Sequence, residues 1–201
     1  MIGTKVLEEK ESEYNGHLKV VRSIGYGIYI QAEGLTQSGG IVEHIWKETV
    51  GKIKKTASSN AQKLKVKSCL ILGLGGGTAA KLIRKNWPEA KITGIDIDSE
   101  MVELGKKYLG LDQINLEIKI QDAYDIKGKF DLIVIDLYNG EDFPDKFGSV
   151  EFLTKVKSSL TEKGIAIFNR TYYGDKRPEA VKFGNKLKKV FSNVEWFYPE
   201  A

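Results

Sequence analysis

The stretch from Cys69 to Asp98, CLILGLGGGTAAKLIRKNWPEAKITGIDID, constrains the fold of this chain more than any other. It reads as an apolar strand, a glycine-rich turn, a helix that stops before Pro88 and a second apolar strand that ends in acids. The glycines of the turn are Gly73, Gly75, Gly76 and Gly77. Glycine allows positive φ angles and the close approach of a ligand, and the helix exposes free N–H groups at the same turn. Asp96 follows at about the 20-residue spacing at which an acid reaches ribose hydroxyls in a nucleotide-binding βαβ unit, so the stretch predicts a nucleoside site.

The composition excludes several classes of partner. The chain has 201 residues, of which 41% are hydrophobic and 29% are charged, and this suits one α/β domain with a small accessory piece. The net charge of +4 is modest, and the lysines are spread over predicted helix faces, so we expect no nucleic-acid partner. No run approaches the ~18 apolar residues of a membrane helix, so we expect no membrane partner either.

The use of cysteine and histidine argues against disulfides and metal sites. Cys69 is the only cysteine and lies in an apolar strand pattern, which predicts a buried core residue in a reducing compartment. His17 and His44 lie far apart without a nearby ligand motif, so we expect no metal. Together these features predict a cytoplasmic protein.

Strand and helix patterns alternate along most of the chain. An N-terminal β-unit of residues 1–40 contains a predicted hairpin at 17–23 and 26–32, and residues 58–68 read as a linker. After the opening stretch, strands are predicted at 115–120, 130–137, 164–170 and 193–198, and helices at 41–57, 100–109, 150–160 and 178–191. This order predicts an α/β fold with a doubly wound, mostly parallel Rossmann-like sheet over residues 41–201. Such a fold usually adds a seventh, antiparallel strand, which we expect to be missing here.

The glycine turn and the strand ends narrow the choice of nucleoside. A dinucleotide fingerprint fits Gly73 and Gly75, but its third position falls on Thr78, and no G-K-[ST] follows as a P-loop requires. Acids lie at successive strand ends, at Asp96, Asp98, Asp122 and Asp136. Asp98 is equally suited to cap the following helix. Acids at the carboxyl ends of parallel strands would repel a pyrophosphate, so they favour an uncharged or cationic nucleoside such as S-adenosylmethionine or its decarboxylated form.

Four short motifs carry a resemblance to a known family. They are the glycine triplet at 75–77, GIDID at 94–98, DA at 122–123 and FDLIVID at 130–136. With these motifs, the region from Cys69 to Arg170 resembles the class I S-adenosylmethionine-dependent methyltransferase fold. Within that fold it is similar to the spermidine synthase (polyamine aminopropyltransferase) family, and the N-terminal region resembles the β-unit of that family.

The resemblance implies roles for individual residues. The residues expected to hold the donor, S-adenosylmethionine or its decarboxylated form, are Gly73, Gly75, Gly76, Gly77, Asp96, Ile97, Asp122 and Ala123. Within this group Asp96 is implied to bind the ribose, and Asp122 to face the adenine amino group. Asp136 stands at the catalytic acid of the family, and Gln37 at a family glutamine. The family forms dimers or tetramers, so the resemblance also implies a homodimer or homotetramer.

At several positions the chain departs from the family pattern. Thr78 and Asn139 stand where spermidine synthases have aspartates, and Trp46 and Lys47 stand where they have Tyr-His. Those family residues bind and deprotonate cationic amines. A buried ammonium without its paired carboxylate costs about 3–5 kcal/mol, and Lys47 would add repulsion if it faced the site.

The acceptor site is the least defined part of this interpretation. The residues expected to contact a small-molecule acceptor are Gln37, Thr78, Tyr138 and Asn139, with Tyr172 and Tyr173 as further candidates. Glu141 and Asp142, on the loop after the fourth strand, could substitute for the missing acids.

Three functions remain open. The missing amine-binding acids favour a methyltransferase-type enzyme that uses S-adenosylmethionine on an unidentified small acceptor, with Asp136 as its proton acceptor. The alternative is a polyamine aminopropyltransferase (spermidine synthase) that uses decarboxylated S-adenosylmethionine. The third hypothesis is a nucleoside-binding protein without chemistry that acts as an interaction module. The retention of Asp96, Asp122 and Asp136 argues against this third hypothesis.

Overall fold

The computed structural model describes residues 3–59, 65–172 and 174–199. Residues 60–64 of the predicted linker lie outside the described residues, and so does Tyr173.

Five parallel strands form the main sheet. In chain order they are β5 (Ser68–Leu72), β6 (Lys91–Asp96), β7 (Glu117–Ile120), β8 (Phe130–Ile135) and β9 (Leu160–Phe168), after four N-terminal strands given below. Their order across the sheet is β7-β6-β5-β8-β9. After β5, the chain adds β6 and then β7 on one side of it. It then crosses to the other side of β5, where it adds β8 and β9. The gap between the carboxyl ends of β5 and β8 is the switch point where doubly wound sheets bind ligands.

Five helices accompany the strands. They are α1 (Gly40–Ser59), α2 (Thr78–Asn86), α3 (Ser99–Leu109), α4 (Val150–Ser158) and α5 (Arg177–Val190). The helices predicted from the apolar spacing of the sequence are confirmed, with bounds that differ by one or two residues. In α1, the predicted apolar stripe buries Trp46 and Val50 against the main sheet.

The central strands are apolar because both of their faces are covered. Along β5, Cys69 and Ile71 belong to the core on the face of α1 and α2, and Leu70 and Leu72 belong to the core on the face of α4. This alternation follows from the two-residue period of a strand. A parallel sheet with helices on both faces results, as the almost wholly apolar β8 predicts.

The N-terminal β-unit is larger than the predicted hairpin. It is a four-stranded antiparallel sheet of β1 (Thr4–Ser12), β2 (Gly16–Ser23), β3 (Gly27–Ala32) and β4 (Leu35–Gly39). Apolar side chains of β2 and β3 pack with Met101 and Leu104 of α3 in a small core of their own. The sheet therefore has a hydrophobic face, and α3 covers it. The division of the chain at residue 40 into two domains stays a prediction.

Asp98 joins the N-terminal unit to the main sheet. Its Oδ1 accepts hydrogen bonds from the N–H groups of Glu100 (2.9 Å) and Met101 (3.2 Å), so it is the N-cap of α3. Its Oδ2 accepts from Ser12 Oγ (2.6 Å) and Asn15 Nδ2 (2.7 Å). The carboxylate is buried and fully engaged. Asp98 therefore has the capping role that the sequence allowed, and it is not a ligand-facing acid.

The prediction of a sixth strand at 193–198 is wrong. This segment forms no strand, and Trp196 and Tyr198 pack against Tyr172 instead, with ring centroids 6.1 and 5.0 Å from that of Tyr172. The Trp196 ring also lies against Gly184 of α5, where a Cβ atom would come within 2.1 Å of it. The aromatic residues of this segment therefore pack beside α5, and the segment does not pair with β9.

We predict opposite effects of alanine at two helical glycines. A Cβ atom at Gly105 in α3 would lie 2.6 Å from the Cα of Gly76, whereas one at Gly51 in α1 would meet nothing within 4 Å. Gly105→Ala should lower the free energy of unfolding by about 1–3 kcal/mol because helix and turn must separate. Gly51→Ala should raise it by about 0.5–1 kcal/mol because alanine favours the helix.

Urea unfolding followed by circular dichroism measures both changes. Equal stability of the two variants would mean that α3 and the glycine turn do not touch as described.

Candidate functional site

A continuous groove of about 1920 Å³ runs from the carboxyl ends of the central strands along β9 to the segment at 191–199. The part of this groove at the strand ends is a cleft. It is bordered by the glycine turn after β5, by the loops after β6, β7 and β8, and by β4 and α1. The predicted site residues that line it are Gln37, Gly73, Gly75, Thr78, Asp96, Ile97, Asp122, Ala123, Asp136, Tyr138 and Asn139. The carboxyl ends of the parallel strands bring together the residues from Gly73 to Asn139, and Gln37 joins them from β4 of the N-terminal sheet.

Two predicted glycines lie behind the cleft rather than in its lining. A Cβ atom at Gly76 would approach the side chains of Leu109 and Ser38 to 2.8 Å, and one at Gly77 would come within 2.5 Å of Leu111. Gly76 also donates its N–H to Ser38 Oγ (2.8 Å). These two glycines shape the turn and let it pack on the N-terminal unit, so any part they have in ligand binding is indirect.

Gly73 brings the two central strands together at the switch point. Its φ of 84° lies in the left-handed region, and a Cβ atom there would lie 2.0 Å from the carbonyl oxygen of Asp136. No other residue type fits this approach. The glycine turn after β5 and the acid after β8 are therefore direct neighbours.

Asp96 ends β6 and holds the glycine turn. Its Oδ2 accepts a hydrogen bond from Gly75 N–H (2.6 Å), and its Oδ1 accepts one from Asp98 N–H (2.9 Å). Burial raises the pKa of this carboxyl to about 6, although the backbone donors act in the opposite direction. Each carboxylate oxygen has capacity for a further hydrogen bond, and the side chain lines the cleft.

Asp136 follows β8 and receives hydrogen bonds from two neutral side chains. Asn169 Nδ2 donates to Oδ1 (2.8 Å), and Trp46 Nε1 donates to Oδ2 (3.2 Å). Burial raises the pKa of the Asp136 carboxyl, and the two hydrogen bonds only partly oppose this effect. The group is thus held in one orientation at the cleft, with a raised proton affinity and room for a further donor on each oxygen.

Asp122 lies in a more exposed environment. Its Oδ1 accepts from Tyr124 N–H (2.9 Å), and its Oδ2 accepts from Lys146 Nζ. Burial acts to raise the pKa of Asp122, but the bonds from Lys146 and Tyr124 outweigh it and hold the pKa below its usual value. Asp122 is therefore an ionised acceptor at neutral pH.

The residues predicted to contact an acceptor surround Asp136. Thr78 Oγ1 accepts a hydrogen bond from Gly39 N–H (2.8 Å), which ties the end of β4 to the start of α2. Tyr138 accepts at its hydroxyl from Thr171 N–H (2.8 Å). Gln37 Nε2 donates to the carbonyl oxygen of Gly140 (3.1 Å), in the loop after β8 that also contains Asn139.

Lys47 does not face the cleft. It lies exposed on α1, whereas its neighbour Trp46 is buried and reaches Asp136. The repulsion of a cationic acceptor that the sequence raised as a concern is therefore absent from the cleft wall.

Sequence reasoning missed the two partners of Asp136 and the cation on Asp122. Trp46 was assigned to the core from its helical spacing, and it is indeed buried, but its indole N–H turns toward the cleft. Asn169 directly follows β9 at the same edge as Asp136, a position from which it could have been inferred. No sequence pattern indicated Lys146, because it lies 24 positions after Asp122, beyond β8.

Metal and membrane features are not found in the described residues. Within residues 3–59, 65–172 and 174–199, no group of three or more His, Cys, Asp or Glu side chains could hold a metal ion. No helix in this described part of the chain is long and apolar enough to cross a membrane.

The chain matches one family and several solved structures. Residues 43–199 match the model of the spermine/spermidine synthase domain. Spermine synthase SPE4 of Saccharomyces cerevisiae is 27% identical over 216 residues, which cover 96% of this chain and 68% of the yeast protein. Spermidine synthase from Thermotoga maritima superimposes with a TM-score of 0.76 at 20% identity, over 94% of this chain and 65% of that one. This chain thus spans about two thirds of the length of these relatives.

A weaker likeness extends to methyltransferases. Human methyltransferase-like protein 13, in complex with SAH, superimposes with a TM-score of 0.59 at 22% identity, over 76% of this chain and 72% of that one. At this level of identity, the likeness concerns the fold alone and agrees with the predicted Rossmann-like class. The family match covers most of the chain, and the protein belongs to the spermine/spermidine synthase domain family.

Proposed function

We propose that this protein is a polyamine aminopropyltransferase that uses decarboxylated S-adenosylmethionine. The observation that carries the proposal is the Asp136 carboxylate, held by Trp46 and Asn169 at the switch point beside the glycine turn. The family match and the yeast relative support this alternative over the methyltransferase-type reading that the missing acids favoured. The enzyme is an alkyl transferase under either reading.

The donor nucleoside lies along the strand ends. Asp96 accepts the ribose hydroxyls on the lone pairs that Gly75 N–H and Asp98 N–H leave free. Asp122 accepts from the adenine amino group beside Ala123, on a carboxylate that also binds Lys146. The three aspartates at the strand ends, Asp96, Asp122 and Asp136, suit a donor with a positive sulfonium and no phosphate.

The transfer is a displacement at carbon. The nitrogen of the acceptor amine forms a bond to the aminopropyl carbon while the bond from that carbon to sulfur breaks. The electron pair of that bond goes to sulfur, which leaves as neutral methylthioadenosine. The nitrogen loses a proton to Asp136, whose pKa is raised by burial, so that it takes up a proton more readily than an exposed carboxylate. Trp46 and Asn169 fix the carboxylate for this step.

The methyltransferase reading is the second candidate. It is favoured by Thr78 and Asn139, which stand where the resemblance calls for amine-binding acids, and the Thr78 hydroxyl is engaged by Gly39. The third hypothesis, nucleoside binding without chemistry, does not explain why Asp136 is held at the cleft by two donors. A homodimeric or homotetrameric state and a cytoplasmic location stay predictions.

We predict that the purified protein transfers an aminopropyl group from decarboxylated S-adenosylmethionine to putrescine or spermidine. Asp136→Asn should lower this turnover by about 10²–10⁴-fold, because the amide cannot accept the proton. The dissociation constant of the donor should change by less than about threefold, since Asp136 does not bind the nucleoside.

Chromatography of the amine products and calorimetry of donor binding measure the two effects. Asp112→Asn, at an exposed acid outside the cleft, is the control and should behave as wild type. Methyl transfer from S-adenosylmethionine without any aminopropyl product would replace our proposal with the second candidate.

We also predict that nucleoside binding weakens in acid. Asp96 has a pKa of about 6, so the carboxylate that accepts the ribose hydroxyls is ionised above that pH and neutral below it. The affinity for methylthioadenosine should therefore be constant near pH 8 and fall by up to about tenfold per pH unit below pH 6.

Calorimetry in buffers from pH 5 to pH 8 measures this profile. Asp96→Asn should bind more weakly at pH 8 and lose the pH dependence, whereas Asp136→Asn should keep it. A flat profile for the wild type would rule out Asp96 as the titrating ribose ligand.

A further inference from the structure

The loop after β8 presents two neighbouring acids on a fixed turn. Asn139 N–H donates to the carbonyl of Asp142 (2.9 Å), and Asp142 N–H donates to the carbonyl of Asn139 (3.1 Å). Gln37 Nε2 holds the turn from across the cleft through the carbonyl of Gly140 (3.1 Å). The turn at 139–142 is therefore anchored both within itself and to the N-terminal unit.

The two acids of this turn share a smaller pocket beside the cleft, and of the two only Glu141 also borders the main cleft. Glu141 lines the main cleft, together with Asp136 and Tyr138. Asp142 does not line it, and its carboxylate pairs with Lys176 Nζ at 3.4 Å. Among the described residues, Glu141 has no hydrogen-bond or ion-pair partner. One acid of the turn is thus neutralised by the protein, and the other is open to the cleft.

A polyamine acceptor carries at least one ammonium beyond the amine that reacts. The other acids at this edge of the cleft are engaged: Asp136 takes the reacting amine, Asp96 holds the glycine turn and Asp122 binds Lys146. Thr78 and Asn139 offer no charge. Of the three further acids in the loop after β8, Glu141, Asp142 and Asp145, only Glu141 lines the cleft, so it is the one placed to pair with a second ammonium.

We propose that Glu141 binds the distal ammonium of the acceptor and so determines the preference of the enzyme for diamines and longer polyamines over monoamines. This inference rests on the proposed aminopropyl transfer. Glu141 acts here as a specificity-determining residue, because it contacts the acceptor away from the reacting atoms. Asn139 contributes its backbone to the turn, and the acid acts from a position two residues later.

The test compares Glu141→Gln with the matched control Asp142→Asn. Turnover is measured with putrescine and with butylamine, a monoamine of the same carbon chain, at saturating donor. Glu141→Gln should raise the KM for putrescine by about 10- to 100-fold, the loss expected for a charged hydrogen bond, and change kcat less than about threefold. Its KM for butylamine should stay unchanged, so the preference for the diamine should disappear. Asp142→Asn should behave as wild type with both amines.

Two outcomes would overturn the proposal for Glu141. One is a wild-type KM for putrescine in Glu141→Gln, and the other is an equal loss in Asp142→Asn. Calorimetry of putrescine binding in the presence of methylthioadenosine separates this proposal from the proposed reaction. Loss of putrescine binding in Glu141→Gln but not in Asp142→Asn supports the site even without turnover. Equal binding of putrescine by the wild type and by Glu141→Gln contradicts it. A wild-type protein that binds neither putrescine nor spermidine contradicts both proposals.

Discussion

The cleft depends on the close approach of two backbones at the switch point of the sheet. Gly73 and the carbonyl of Asp136 lie so near each other that a Cβ atom at 73 would be 2.0 Å from that oxygen. Because β5 and β8 are adjacent and parallel, this contact sets the glycine turn beside the acid that follows β8. A nucleoside held at the turn and an amine held by Asp136 can then meet without any movement of the sheet. The proposed transfer needs this proximity, since its two reactants bind to different strand ends.

Three acids at one edge of the sheet have different proton affinities because their surroundings differ. Asp96 is buried among backbone donors and has a pKa of about 6. Asp136 is bound only by neutral side chains, so burial raises its pKa, whereas Lys146 lowers that of Asp122. The edge therefore offers one acid of lowered and one of raised proton affinity, which we propose accept from the adenine amino group and take part in the proton transfer, respectively. The rule that ligands bind at the carboxyl ends of parallel strands locates such acids, but it does not predict how their pKa values differ.

The sequence predicts the features that arise from local periodicity. The helices and the central strands follow from apolar spacing, and the acids at strand ends follow from the parallel order of those strands. The sixth strand was predicted wrongly because a β-rich pattern does not encode which edge it will meet, and Trp196 instead packs on Gly184. The bond from Trp46 to Asp136 joins residues 90 positions apart, so no window of sequence contains it.

The departures from the family pattern have structural counterparts. The last three residues of β4 all form hydrogen bonds with segments that follow strands of the main sheet. Gln37 bonds to Gly140, Ser38 to Gly76 and Gly39 to Thr78.

The Thr78 hydroxyl is part of this attachment of β4. A carboxylate at this position would be longer than the hydroxyl that now accepts from Gly39 N–H at 2.8 Å, so the packing of β4 favours the threonine. With that position used for attachment, our proposal assigns the recognition of a second charge on the acceptor to the loop after β8. The same loop is held by Gln37 of β4, so the N-terminal unit both occupies the position of the lost acid and supports the turn that carries Glu141.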